Sequence, residues 1–161
     1  MKPDKELINE ASRIIAKKGY TIAFAESATA GKVVFGFSRF KDAGEILKGG
    51  IVCYDACVKE DILGVSKTLI ETFTPESAEV TRELAIKLKN LMKTDIAVGI
   101  TGLTTPGGSE GPGKPVGTMF YCIAFPSKII ERRQVFNASP EEIIDLTTEH
   151  ICQTLIDELD K

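Results

Sequence analysis

The chain has 161 residues, 43% hydrophobic and 27% charged, and its 20 basic against 23 acidic residues give a formal net charge of -3. This length fits one domain spanning 1–161, and the composition excludes a disordered or collagen-like chain. The acidic balance argues against nucleic-acid binding, which normally uses a basic face. No apolar run reaches the ~18 residues of a membrane span, and the charged first ten residues do not resemble a secretory signal. We therefore expect a cytoplasmic protein with no membrane partner.

Cysteine and histidine do not occur in a pattern that suits a metal site. The four cysteines, Cys53, Cys57, Cys122 and Cys152, are expected to be free thiols in a reducing compartment. His150 is the only histidine, so neither a histidine-rich metal site nor a Ser-His-Asp triad is available. We expect no metal and no cofactor, and a surface or half-buried position for His150 on the last helix.

Hydrophobic periodicity and turn residues predict helices that alternate with strands along the chain. Thr74-Pro75-Glu76 and Ser139-Pro140 are typical helix starts, and Ser139 with Glu142 forms a capping-box pattern. The predicted helices are 7–18, 31–39, 58–63, 74–92 and 139–159, and the predicted strands are 20–25, 46–54, 95–101, 119–125 and 129–136.

This alternation predicts a layered α/β domain with a mostly parallel sheet, in which the late hairpin contributes one antiparallel pairing. In open α/β sheets, ligands bind beyond the carboxyl ends of the strands. The loops that follow the first three predicted strands begin at Glu26, Tyr54 and Thr101, and they are the chemically densest parts of the sequence. The functional site is therefore expected where these loops meet.

The first of these loops has the sequence Glu26-Ser27-Ala28-Thr29-Ala30-Gly31. Hydroxyls, a carboxylate and small residues at a strand-to-helix turn suit an active serine, because backbone N–H groups there can stabilise an anion. The alternative is that Ser27 or Thr29 only caps the following helix, since serine and threonine prefer such positions.

The second loop places Tyr54 at the end of a strand and Lys59 about one helical turn later. Without a usable histidine, lysine or tyrosine is the base available to a serine nucleophile. A lysine serves only if its pKa is lowered, because a solvated ammonium is protonated at neutral pH. The alternative is an exposed helix lysine beside Glu60 and Asp61.

The third loop, 102–115, holds five glycines and three prolines. Its segment from Gly108 to Lys114 fits part of a phosphate-binding P-loop, but Pro115 replaces the hydroxyl that binds magnesium and a strand follows instead of a helix. We expect a substrate-facing loop whose glycines permit close backbone approach, with a plain surface loop as the alternative.

Several segments together resemble the CinA C-terminal domain family over nearly the whole chain. They are 25–31, 50–54 with Lys59, 63–65, 101–108 and 114–118. The resemblance implies a three-layer α/β/α fold with a mixed sheet, a homodimer and no metal. It also implies the stand-alone form of the domain, and an activity that deamidates nicotinamide mononucleotide to nicotinic acid mononucleotide and ammonia in pyridine-nucleotide salvage.

By motif, the resemblance assigns Ser27 as the nucleophile, with Lys59 as base and Tyr54 orienting or relaying the proton. The residues expected to bind the nucleotide substrate are Glu26, Thr29, Ala30, Gly31, Thr101, Gly102, Gly107, Gly108, Lys114 and Gly117.

The chain departs from the family pattern at several positions. Ala28 and Ala30 replace a cysteine and a glycine, and Thr105 stands where a glycine is common. No arginine occurs near Ser139, where the family places one close to the substrate. The cations available to replace it are Arg39, Lys114, Arg132 and Arg133. Two alternatives to the enzyme therefore stand: a relative that binds a nucleotide-like ligand without turnover, and a dimeric partner-binding module.

Overall fold

A five-stranded sheet organises the chain in the computed structural model, which describes residues 5–161. Residues 1–4, which begin the segment judged not to be a signal, lie outside the described residues. The strands are β1 Ile22–Glu26, β2 Leu47–Val52, β3 Ile96–Gly102, β4 Thr118–Ala124 and β5 Ile129–Val135. The helices are α1 Lys5–Lys17, α2 Lys32–Ser38, α3 Ala43–Ile46, α4 Ala56–Asp61, α5 Lys67–Phe73, α6 Ala78–Met92 and α7 Pro140–Leu159.

The strand order is β2-β1-β3-β4-β5, with β1 parallel to both β2 and β3. Strand β4 pairs antiparallel with β3 on one side and with β5 on the other. The prediction of a mixed α/β sheet is confirmed, and four of the five strands run in one direction. The single antiparallel pairing that we expected is instead two, because the hairpin inserts β4 directly beside β3.

Helices cover both faces of the sheet, as the three-layer prediction requires. Alternate residues of β1 separate the two layers: Ile22 and Phe24 pack in the core that includes α1, α2 and α7, while Ala23 and Ala25 face α6. This alternation follows from the two-residue period of a strand. All five residues of β1 are buried, because the strand lies between two neighbours and beneath helices on both sides.

The predicted start of the last helix agrees with the structure, whereas the predicted start of the long middle helix does not. The capping box at Ser139 is present: its hydroxyl accepts from the Glu142 amide, and the Glu142 carboxylate accepts from the Ser139 amide. The long middle helix begins after Ser77 rather than at Thr74, because Ser77 supplies the cap and Thr74 has a φ of 74°. The short helix α5, capped by Ser66, was missed.

Among the helices formed by residues 5–161, none is both long and apolar enough to cross a bilayer.

Candidate active site

Three neighbouring strand ends bring the candidate residues together. Glu26, the last residue of β1, is in register with Val52 of β2 and Ile100 of β3. Just beyond, the Ser27 amide donates to the Ile100 carbonyl at 3.0 Å, and the Cys53 amide donates to the Glu26 carbonyl at 2.8 Å. Ser27 is thus fixed by the sheet where the first two loops begin.

Glu26 is fully buried and holds the turn that follows Ser27. Its carboxylate accepts hydrogen bonds from the amides of Gly31, Val33 and Val34, at 2.9, 3.2 and 2.7 Å. These donors are at the start of α2, where a negative charge is favoured. Both carboxylate oxygens are therefore committed to the helix start, so Glu26 positions Ser27 rather than facing a ligand.

Lys59 lies beside Ser27, as the sequence predicted. Its side chain is only 1% exposed, and its Nζ donates to Ser27 Oγ at 3.2 Å, to the Cys53 carbonyl at 2.7 Å and to the Tyr54 carbonyl at 3.3 Å. Burial lowers the pKa of Lys59, while the negative charges of Glu76 and Asp55 act in the opposite direction. The alternative of an exposed helix lysine is wrong.

The position of Lys59 follows from how α4 begins. The Asp55 carboxylate accepts from the Cys57 amide at 2.9 Å and so caps the helix. One turn later, Lys59 points back at the strand ends that precede the helix. Tyr54 contributes its carbonyl to the amine, whereas its side chain is 67% exposed.

The three neighbours of the amine suit both of its protonation states. An ammonium donates all three of its protons, one to each oxygen. A neutral amine donates two protons to the Cys53 and Tyr54 carbonyls and keeps its lone pair for the Ser27 hydroxyl. The site therefore accommodates the neutral amine that proton abstraction from serine requires, without loss of a hydrogen bond.

A cavity of about 260 Å³ opens in front of Ser27. Of the predicted residues, Ser27, Tyr54, Gly102, Gly107 and Gly108 line it. The lining residues that sequence reasoning did not assign to the site are Ala28, Glu76, Leu103, Thr104, Thr105 and Pro106. Four of these lie in the loop already expected to face substrate, but Glu76 lay in a segment interpreted only as a helix start.

The other residues expected to bind substrate do not line this cavity. They are Glu26, Thr29, Ala30, Gly31, Thr101, Lys114 and Gly117. Thr101 is fully buried and shares a hydrogen bond of 2.8 Å with Thr81. Gly117 has a φ of 97°, and a side chain there would overlap the Phe136 carbonyl, so its role is to let these two backbone segments pack.

Lys114 ties the third loop to the segment before α6. Its Nζ donates to Thr74 Oγ1, the Glu76 carbonyl and Ser109 Oγ, at 2.7, 2.8 and 2.7 Å. Ser109 Oγ in turn donates to Glu76 Oε2 at 2.6 Å. The lysine expected to bind substrate is thus occupied in positioning the loop and Glu76.

Arg39, Arg132 and Arg133, the other cations considered from the sequence, do not line the cavity either. Arg133 donates to the Gly113 carbonyl, Arg132 to the Glu131 carbonyl, and Arg39 stacks over the Phe35 ring at 5.6 Å. No lysine or arginine is found among the described residues that line the cavity. Across residues 5–161, no three metal-ligating side chains cluster in a way that could hold an ion.

The four cysteines are free thiols, and three of them are buried. Cys53 lies beside the candidate dyad of Ser27 and Lys59, since its carbonyl accepts from Lys59 Nζ at 2.7 Å, and burial is the main cause that raises the pKa of its thiol. A buried neutral thiol is a poor nucleophile. Ser27 is therefore the better candidate nucleophile at this strand end.

Comparison with known families and proteins finds matches over much of the chain. A family model described as the CinA C-terminal domain matches residues 4–159. A CinA-like protein of Pseudothermotoga lettingae is 38% identical over 113 residues, which are 70% of this chain and 27% of that protein. A putative competence-damage inducible protein of Caldanaerobacter subterraneus is 29% identical over 87% of this chain and 34% of its own length. The chain spans about a quarter to a third of the length of such curated relatives.

Solved structures share the fold over almost the entire chain. A CinA superfamily protein of Klebsiella pneumoniae superposes with a TM-score of 0.92 at 24% identity, covering 97% of each chain. The competence/damage inducible protein CihA of Agrobacterium tumefaciens has a TM-score of 0.89 at 24% identity, covering 100% of this chain and 99% of its own. At such identities the likeness concerns the fold alone.

Proposed function

Because the chain belongs to the CinA C-terminal domain family, we propose that it is an amidohydrolase that deamidates nicotinamide mononucleotide to nicotinic acid mononucleotide and ammonia. The observation that carries the proposal is the buried Lys59 amine, 3.2 Å from the hydroxyl of Ser27 at the cavity. A serine with an adjacent base of lowered pKa is an activated nucleophile. The substrate is the one that the family resemblance implies.

In the first step, neutral Lys59 takes the proton of the Ser27 hydroxyl, and Oγ forms a bond to the carboxamide carbon. The electron pair of the C=O bond moves onto its oxygen, which backbone N–H groups at this strand-to-helix turn can stabilise. When the C=O bond re-forms, the C–N bond breaks. The leaving nitrogen takes the proton from the Lys59 ammonium and departs as ammonia, which leaves an acyl ester on Ser27 and a neutral lysine.

In the second step, water attacks the acyl ester while Lys59 takes one of its protons. The bond between Ser27 Oγ and the acyl carbon then breaks, and Oγ recovers its proton from Lys59. The released acid loses its proton to solvent. One lysine thus serves as base and acid in both halves of the reaction.

Tyr54 has two contributions in this proposal. Its carbonyl holds the amine of Lys59, and its exposed side chain lines the cavity. No described residue accepts a hydrogen bond from its phenol, so the hydroxyl is free to contact substrate. We therefore propose that Tyr54 orients the substrate, whereas proton transfer proceeds directly between Ser27 and Lys59.

A second candidate function is binding of a nucleotide-like ligand without turnover. The observation that favours it is the lack of a lysine or arginine among the described lining residues, since a nucleotide phosphate normally needs charged donors. In this case the cavity binds the ligand weakly and Ser27 remains unmodified.

Incubation of the protein with nicotinamide mononucleotide separates the two functions. The deamidase releases ammonia and nicotinic acid mononucleotide in equal amounts. A binding protein instead shows a ligand-dependent rise in its melting temperature with no release of ammonia. If the protein releases no ammonia and its melting temperature does not change, both functions are contradicted.

A further inference from the structure

Glu76 is the one carboxylate among the described residues that line the cavity. It belongs to none of the three loops that follow the strands, and it reaches the cavity from the segment before α6. Its negative charge acts to raise the pKa of Lys59, against the larger effect of burial. The cavity therefore has a fixed anionic side and no compensating cation in its described lining.

The Glu76 carboxylate is held in one orientation. Ser109 Oγ donates to its Oε2 at 2.6 Å, and Lys114 fixes both that hydroxyl and the Glu76 carbonyl. Oε1 accepts no hydrogen bond from a described residue, and both it and Glu110 Oε2 lie 3.7 Å from the point that a side chain on Gly108 would occupy. Glu76 and Gly108 both line the cavity, so Oε1 is the carboxylate oxygen of Glu76 that is available to a ligand there.

We infer that Glu76 determines specificity by charge: it favours a carboxamide carried on a cationic, N-alkylated pyridine ring and disfavours a neutral ring or a carboxylate in its place. The inference rests on the proposed function and names the part of the substrate that the cavity selects. In nicotinamide mononucleotide, the ribosylated ring nitrogen is quaternary and positively charged. The product carries an additional carboxylate, which the charge of Glu76 repels.

This selection aids turnover as well as binding. Attraction of the cationic ring offsets part of the affinity lost because no lysine or arginine is among the described lining residues. Repulsion of the newly formed carboxylate weakens product binding and so promotes release. In a partly desolvated cavity, one such charge contact changes affinity by about tenfold.

The test compares three ligands that share ribose and phosphate. They are nicotinamide mononucleotide, its reduced dihydropyridine form with a neutral ring, and nicotinic acid mononucleotide. Their dissociation constants are measured by calorimetry in Ser27→Ala, so that no ligand is consumed. Because the phosphate is the same in all three, its contribution cancels from the ratios.

In Ser27→Ala, we expect nicotinamide mononucleotide to bind about tenfold more tightly than either other ligand. In Ser27→Ala with Glu76→Gln, both ratios fall to about one. Glutamine keeps the shape of the side chain and still accepts from Ser109, so the fold is retained, and a melting curve checks this. Ser27→Ala with Glu79→Gln, which removes the same charge from an exposed position on α6, leaves the ratios unchanged.

The outcomes distinguish this inference from the deamidase itself. The role of Glu76 is overturned if Glu76→Gln leaves the ratios of dissociation constants unchanged. It is also overturned if these ratios are already near one in Ser27→Ala. Both results would hold even if the wild type releases ammonia. Ratios that depend on Glu76 support its role even if the wild type releases none, in which case the deamidase fails alone. Binding of none of the three ligands overturns the inference.

Discussion

The charge state of one buried side chain decides whether Ser27 can be activated. Burial lowers the pKa of Lys59 below its ordinary value, whereas the negative charge of Glu76 raises it. Only the neutral amine accepts the serine proton, so kcat/KM is expected to rise with pH through the pKa of Lys59 in the free enzyme. The acid limb of the wild-type profile should therefore lie below the ordinary pKa of a lysine.

Glu76→Gln is expected to move the acid limb of the pH profile in a defined direction. Removal of the negative charge lowers the pKa of Lys59 further, so the acid limb shifts to lower pH. The profile of Glu79→Gln is expected to match that of the wild type. An acid limb at the ordinary lysine value, or one that shifts to higher pH in Glu76→Gln, would contradict the assignment of Lys59 as base.

Ala30 is in a backbone conformation that alanine disfavours. Its φ is 49°, in the left-handed region, and its side chain is exposed. Ala30→Gly relieves strain of about 1–2 kcal/mol in the folded state. Glycine also raises the entropy of the unfolded state, which costs about 0.4–1 kcal/mol of stability. A net stabilisation of about 0.5–1 kcal/mol is therefore expected. Urea denaturation measures this change.

Ala16→Gly is the matched control for Ala30→Gly. Ala16 lies within helix α1, where the same substitution costs about 1 kcal/mol. The two variants are therefore expected to change stability in opposite directions. Destabilisation by Ala30→Gly would show that strain in its left-handed backbone is smaller than the entropic cost of introducing glycine.

Individual helices show which elements local patterns predict. Helix α7 was predicted well, because its serine-proline start, capping box and apolar spacing are all local signals. Helix α5, Lys67–Phe73, has seven residues and too short a periodic pattern to be recognised. The start of α6 was misplaced because Thr74-Pro75 fits a cap, while contacts with Lys114, 40 residues away, hold Thr74 outside the helix.

The site shows the same division between local and long-range information. Ser27, Tyr54 and Lys59 were found because they follow strands whose ends meet. Glu76 was missed because it reaches the cavity through contacts with Ser109 and Lys114, which are distant in sequence. The cap that Glu26 forms on α2 depends on the turn geometry after β1, which residue types alone do not specify.

Position 139, at the start of α7, is where a substitution is expected to change phosphate binding. Ser139→Arg adds a cation where the family resemblance places one, and it is expected to tighten binding of nicotinamide mononucleotide by about tenfold or more. The same change removes the cap of α7, at a cost of about 1 kcal/mol of stability.

Ser139→Ala separates these two effects, because it removes the cap without adding charge. Its affinity for nicotinamide mononucleotide should equal that of the wild type while its stability falls as in Ser139→Arg. Calorimetric titration of all three proteins makes the comparison. Equal affinity of Ser139→Arg and the wild type would contradict the idea that the missing arginine limits binding.

On the scale of the whole molecule, one continuous sheet supports every part of the candidate site. Strands β1, β2 and β3 provide the ends where Ser27, Tyr54 and the third loop begin, and helices pack on both faces. Strand β2 is at the edge of the sheet, and Val52 and Tyr54 at its end are exposed. The homodimer that the resemblance implies stays a prediction, which sedimentation equilibrium can test.

In the proposed function, Ser27 and Lys59 together hydrolyse an amide at the cavity. The most direct measurement is the rate of ammonia release from nicotinamide mononucleotide by the wild type, Ser27→Ala and Lys59→Met. Ser38→Ala and Lys18→Met, at exposed positions, are the matched controls. We predict a loss of at least about a hundredfold in each site variant and wild-type rates in both controls. Wild-type turnover in Ser27→Ala or Lys59→Met would contradict the proposed mechanism.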